Sequence, residues 1–450
     1  MSEREEINHR KNYSTNLNLK HHLNEQEAIS FDVDYLNFYD DNPTLYNNRF
    51  FDSEELFTEE QMIRSGKETP LHIWVAKVDY ERQWNDKIRL EMGVKSVLST
   101  FENDIKVETL EDAIWQTDPS FTSNSDLNEK IWAAYVSSDI QLSSTTNARL
   151  GLRYEYTDSK LNTDTEGLVV DRQFGAFFPT ALVSHQFNEQ WSSNFSYSRR
   201  ITRPTFNEIA PFVYFLDPNT FFSGNSGLQP AITDAIKLDL NYKNIFFSAQ
   251  YAVQDSAIAR FQQQYDPTTE RLIFVSENLK NATTWSFTLG MPLDITPWWN
   301  MRINATYYCL ENNGYINEEL TSITQHYAQI NTNQSFQLPF DLSAELAFVY
   351  TGPSLWGKNR IGANYDMTIG LQKQLGERGG TLRFNVMDVL DSNRIRLSSY
   401  EPTQNFFFNG DFDLSQRTFS LSYTRRFGNN KVKAERYRAV GAAEELKRTN

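Results

Sequence analysis

Apolar and polar residues alternate along almost the whole chain, and no other feature constrains its fold as much. A period of two belongs to a β-strand with one apolar face. In one segment Leu150, Leu152, Tyr154 and Tyr156 alternate with Arg149, Gly151, Arg153 and Glu155. In another, Ile236, Leu238, Leu240 and Tyr242 alternate with Lys237, Asp239 and Asn241. Phe247, Ala249, Tyr251 and Val253 alternate with Ser248, Gln250 and Gln254, and Leu342, Ala344, Leu346, Phe348 and Tyr350 continue the pattern. The polar partners include Arg, Lys, Asp and Glu, which a dry sandwich core would reject and a water-filled lumen accepts. The pattern predicts an all-β chain, a transmembrane antiparallel β-barrel of the outer-membrane type.

Average polarity is no objection. With 39% hydrophobic and 22% charged residues, a net charge of −15 and a mean hydropathy of −0.58, the chain has no run near the ~18 apolar residues of a spanning helix. In a barrel, lipid-facing and lumen-facing residues cancel in such an average. Aromatics reach 14%, with 32 Phe and 22 Tyr, which suits girdles at two interfaces. One cysteine, Cys309, excludes a disulfide framework and a Cys-based metal cluster within this chain. The acidic balance argues against nucleic acid as a partner.

Connections alternate between short and long. Short ones fall near Asn24, Asn85, Ser143, Asn188, Lys243, Thr296, Pro339 and Gly376; long ones run near residues 40–70, 102–127, 157–172, 202–230, 266–279, 311–321, 352–360 and 391–416. Short turns on one side and long loops on the other are the habit of outer-membrane barrels, the short set being periplasmic. Trp84, Trp191, Trp298 and Trp299 sit beside short turns and are the candidate membrane-interface belt. The hairpins give about seventeen strands. The first, Tyr13 to Leu23, runs down into a short turn, whereas bacterial barrels have an even number of strands. At least one upward strand is therefore expected to precede it. The opening MSEREEINHRKNYS has no apolar core and is not a secretory signal, so either the protein stays inside the cell or the chain starts partway through a longer one; strand parity favours the second. The barrel is expected over 1–427 and a charged periplasmic tail over 428–450, solvated in preference to docked as a helix.

The most informative stretch is Phe195 to Tyr242. It contains Tyr-Ser-Arg-Arg-Ile-x-Arg-Pro at Tyr197 to Pro204, Pro211-Phe212, Asp217-Pro218, Gly224-Asn225 and Leu228-x-Pro230. With Asn385 to Asp391 and the terminal Tyr423 to Gly428, it resembles the outer-membrane β-barrel family allied to TonB-dependent receptors, in the form common among Bacteroidetes. The resemblance spans most of residues 130–450. It implies a barrel of about 22 strands, plugged by an N-terminal domain and driven by an inner-membrane energy-coupling complex. About five strands, the plug and the signal peptide would then lie upstream of Met1. It also implies contact with outer-membrane lipid and lipopolysaccharide, with the barrel-assembly machinery and with a surface lipoprotein.

Between Ile201 and Pro230 four prolines stiffen a long extracellular loop. Its aromatics are expected to pack as the loop's own small core, the alternative being a ligand surface whose contacts would be Arg203, Phe206, Tyr214, Phe222 and Asn225. Arg199, Arg200 and Arg203 are expected to pair internally in preference to holding an anionic ligand. The six histidines lack metal or triad spacing, Asp40-Asp41 reads as a solvated acidic loop, and no phosphate loop or GxSxG occurs. No cofactor, metal or catalytic residue is expected, and an enzyme is not. The expected function is import of a scarce nutrient, such as a metal chelate, peptide or glycan; a surface-binding or adhesion barrel and a passive pore are the alternatives, in that order.

Overall fold

The computed structural model describes residues 2–210, 213–266, 268–316, 319–376, 379–401, 406–413, 416–425, 427 and 441–449. Twenty strands form one sheet. Three of them, Ser2–Glu6, Thr44–Phe51 and Ile114–Thr117, are side pairings beyond the ends of the main strands. The other seventeen pair antiparallel in chain order: His9–His22, Glu27–Asp41, Phe57–Asn85, Ile88–Glu111, Ser123–Gln141, Thr146–Thr163, Gly167–Gln186, Trp191–Thr202, Ala231–Tyr242, Ile245–Asp255, Asn281–Thr296, Trp299–Ile316, Glu319–Leu338, Leu342–Thr351, Asn364–Gln374, Thr381–Met387 and Thr418–Thr424. Among the described residues the first and last of these have one neighbour each.

The two faces divide as the alternation predicts. Leu152, on the outer face of its strand, is 44% exposed, while Glu155, on the inner face, is 5% exposed. That inverts the arrangement of a water-soluble domain and fits a wall with lipid outside and a charged lumen inside. Trp74, Val94, Trp132, Phe177 and Phe195 extend the exposed apolar face around the sheet.

The short turns have local causes. Asn24, Asn85 and Asn188 each accept the backbone N–H two residues on through Oδ1, and Ser143 does the same through its hydroxyl. These side chains close a turn without a longer loop. At the far side the expected long loops are largely strand. Thr44–Phe51 and the first half of Phe57–Asn85 occupy 40–70, and Ser354–Trp356 pairs Asn359–Ile361 across most of 352–360. Arg394–Glu401 pairs Phe406–Asp413 inside 391–416. The physical reason is that hairpins above the membrane keep their hydrogen-bond ladders but meet no lipid, and their covered faces mix polar with apolar residues, as Thr44, Tyr46 and Asn48 do, so the apolar–polar alternation that marks a strand is lost.

The tail also departs from the solvated segment expected of it. Residues 428–440 lie outside the described residues, as do Pro211, Phe212 and Arg426 of the signature motifs. Within 441–449, Ala442, Glu445 and Arg448 are buried, and Ala442 belongs to a core cluster with Leu36, Val75, Val97, Phe101 and Phe206. A charged segment can leave water in this way because its charges meet opposite charges on the wall.

Candidate functional site

After Thr202 the chain turns inward over the mouth of the sheet. Thr205 caps a single helical turn, Phe206–Ile209: its hydroxyl accepts Glu208 N–H at 3.2 Å, and Glu208 Oε2 accepts Thr205 N–H at 2.8 Å. This reciprocal capping fixes a turn too short to persist alone. Phe206 and Ile209 thereby point into the core, where Phe206 stacks on Phe101 at 5.6 Å. The same Glu208 carboxylate accepts Arg260 Nη2 at 3.3 Å and Ser276 Oγ at 3.4 Å, which ties the turn to the next loop.

Gly224 approaches this turn so closely that a Cβ there would lie 1.8 Å from the Ala210 carbonyl oxygen. Asn225 beside it is a fastener: its N–H donates to Glu208 O at 2.7 Å and its Nδ2 to Ser276 O at 2.9 Å. Gly224→Ala should therefore unseat the loop without touching the wall. The expected result is faster protease cleavage within 203–230, with unchanged β-sheet circular dichroism.

Beyond the turn, Val213–Asp217, Thr220–Ser223, Arg271–Asn278 and Ile258–Asp266 form a separate four-stranded sheet. Phe215 and Phe221 pack edge-on against Phe121, with Tyr46, Ile105 and Val107 around them. The loop's aromatics thus pack in a core shared with neighbouring strands, not in one of the loop's own. At its border a cavity of about 260 Å³ is lined by Tyr214, Phe222, Phe261, Val213 and Lys67. Phe222 lies 5.4 Å from Phe261, and Arg4 sits over the Tyr214 ring at 5.0 Å.

Lys67 donates to Asn207 Oδ1 at 2.9 Å. It lies about eighteen residues up its strand from the Asn85–Asp86 turn, beyond the ~9–11 residues that cross a bilayer. Burial pushes its ammonium down to about 8, against the pull of Asp40, which raises it. The folded pKa lies below the unfolded one, so between about pH 8 and the usual 10.5 the unfolded chain binds more protons and stability rises with pH. Lys67→Met should abolish that rise, as a series of melting temperatures across the window would record.

The inner wall below is charged and paired. Arg203 donates through Nη2 to Glu155 Oε2 at 2.7 Å and to Thr157 Oγ1 at 3.1 Å, and Arg153 also bonds Glu155. Lys237 meets Asp239 at 2.9 Å on that face, whereas Arg199 and Asp234, 3.7 Å apart, share the outer face with Phe195 and Ile236. An opening of about 670 Å³ lies among Tyr135, Arg153, Thr180, Arg199, Arg203 and Arg260. The paired charges suit a polar or charged solute.

The structure does not gather the five candidate ligand contacts. Arg203, Phe206 and Asn225 are engaged within the fold, whereas Tyr214 and Phe222 share the cavity beside Lys67. Trp84, Trp191 and Trp298 are exposed beside the short turns, and Trp299 is half-buried, stacked on Phe336 at 5.8 Å. Sequence reasoning missed Lys95, Glu129, Glu445 and Arg448, which are buried together; the wall pair had only its polar parity as a signal and the tail pair had none. Among the described residues no group of three His, Cys, Asp or Glu could hold a metal ion.

The profile of the outer membrane protein beta-barrel family matches residues 21–424. No curated protein matches the sequence. Among solved structures the chain is similar to the siderophore receptor PiuA from Acinetobacter baumannii, with a TM-score of 0.60 and 12% identity over 92% of this chain and 64% of that one. It is similar to the ferric-catecholate import receptor Fiu from E. coli K12, with a TM-score of 0.59 and 13% identity over 92% and 64%. The copper transporter OprC gives 0.60 and 12% over 91% and 71%. The chain thus spans 64% of the length of the first two, and at these identities the likeness is one of fold.

Proposed function

Because the chain belongs to the outer membrane protein beta-barrel family, we propose that it forms the wall and mouth of an outer-membrane receptor-type transporter that imports a scarce, polar nutrient. The observation that carries the reading is the combination of an apolar outer face, a lumen lined with paired charges and a folded cap of loop strands over one end. A wall alone would serve a pore. A cap packed onto the wall serves selection.

Solved barrels of the same fold include siderophore receptors and a copper transporter, which supports a metal chelate as the nutrient class ahead of a peptide or glycan. Tyr214 and Phe222, in the cavity with Lys67, are the first contacts to test; a cation beside two aromatic rings suits an aromatic, anionic chelate. Uptake of this kind needs an inner-membrane energy-coupling complex as partner. Insertion needs the barrel-assembly machinery, and Trp84, Trp191 and Trp298 would anchor the wall at the lipid interface. The protein is not an enzyme in this reading.

Energised uptake tests it. Cells expressing the native gene should accumulate a labelled ferric chelate, lose accumulation when a protonophore collapses the membrane potential, and lose affinity on Tyr214→Ala. Uptake indifferent to the protonophore would favour a passive pore. Surface binding without uptake of any tested nutrient would favour an adhesion barrel.

A further inference from the structure

The inner wall carries one cluster that import does not call for. Lys95, on the inner face of its strand, donates to both carboxylate oxygens of Glu445 at 3.0 and 3.1 Å and to Glu444 at 3.4 Å. Arg153 approaches Glu444 at 3.8 Å. On the next strand Glu129 accepts a two-pronged contact from the Arg448 guanidinium. Arg448 also donates through Nε to Pro204 O at 3.0 Å, and its plane lies 4.4 Å over the Phe206 ring. Its carbonyl accepts Phe206 N–H at 3.3 Å. Lys95, Glu129, Glu445 and Arg448 are all under 9% exposed.

We propose that Lys95, Arg153 and Glu129 form a peptide-binding site on the lumenal wall, specific for a short segment with adjacent carboxylates followed three residues later by an arginine, and that residues 441–449 are its resident occupant. Specificity comes from charge order. The wall presents a cation and then an anion; the segment presents an anion at Glu445 and a cation at Arg448, and one helical turn puts both on the same side. A segment of reversed order would bury like charges against each other at a cost of several kcal/mol. Shape adds a second requirement. A Cβ at Gly441 would lie 2.7 Å from Asp34 Oδ2, and Ala442 is fully enclosed, so the segment must enter through small residues. Because the occupant also holds Pro204 and Phe206, its departure would free the capping turn at the mouth. The site stands on these wall contacts whether or not anything is imported.

A zero-length carbodiimide cross-link on the intact chain in lipid tests occupancy, because it joins only an amine and a carboxylate already in contact. A Lys95–Glu445 amide should dominate the cross-linked peptides and fall at least tenfold in the Arg448→Glu chain. Specificity is read with the full chain carrying Glu444→Gln and Glu445→Gln, which loosens the occupant, and a dye-labelled peptide of residues 441–449. Fluorescence anisotropy should show saturable binding, at least tenfold weaker for the same peptide with Arg448→Glu. Absence of the Lys95–Glu445 cross-link in the intact chain, or equal binding of the two peptides, would overturn the proposal.

Discussion

Leu152→Arg should block insertion of the chain into an outer membrane, while Thr180→Arg, beside it in the sheet, should insert and fold. Leu152 pairs with Pro179 and Thr180 pairs with Gly151, so the two side chains stand one register step apart and on opposite faces. Leu152 lies about six residues from the short turn before it, near the middle of a ~10-residue crossing, where an arginine on the lipid face costs roughly 2–4 kcal/mol. Thr180 borders the opening beside Arg153, where water can solvate a further guanidinium. Pairing Leu152→Arg with Val94→Arg, another exposed apolar position, should roughly double the penalty if the two act independently. Heat-modifiable migration of the membrane fraction reads the outcome: the folded band should vanish for the lipid-face variants and persist for Thr180→Arg.

Phe206→Ala should cost about 3–5 kcal/mol, the range for deleting a buried phenyl group. The ring is 2% exposed, stacks on Phe101, lies under the Arg448 guanidinium and belongs to the cluster that joins wall, capping turn and tail. Its loss removes the surface on which three separate segments meet. The expected phenotype is selective. The loop from 203 to 230 and the residues 441–449 should lose hydrogen-exchange protection together, while the wall strands, held by their own ladders, should keep theirs. Phe206→Leu refills most of the volume and should recover most of the protection.

The wall was legible because its chemistry is local. Strand parity needs only neighbouring residues, so Leu150, Leu152 and Tyr154 outside against Arg153 and Glu155 inside follow from the order of the letters. The turns were legible because Asn24, Asn85 and Asn188 close them with their own side chains. The family signature marked the capping loop and its aromatics. What the letters hid was pairing over distance. Arg203 and Glu155 are 48 residues apart, and Arg448 and Glu129 are 319 apart; nothing in either neighbourhood distinguishes such charges from solvated ones. The hairpins above the membrane were hidden for a different reason. Thr44–Phe51 alternates between buried and half-exposed positions, but its buried face mixes Thr44 and Asn48 with Tyr46, so the apolar alternation that marks a lipid-facing strand is missing from its letters.

The proposed transporter requires one wall with lipid on its even-numbered face and lumen on its odd-numbered face along the membrane-crossing part of Thr146–Thr163. In a Cys309→Ser background, single cysteines placed in turn at positions 150 to 155 and labelled with an environment-sensitive fluorophore test this directly in vesicles containing lipids with quenching acyl chains. Positions 150, 152 and 154 should be blue-shifted and quenched from the bilayer, and 151, 153 and 155 should be neither. Quenching that is uniform along the strand, or that follows a period other than two, would contradict it.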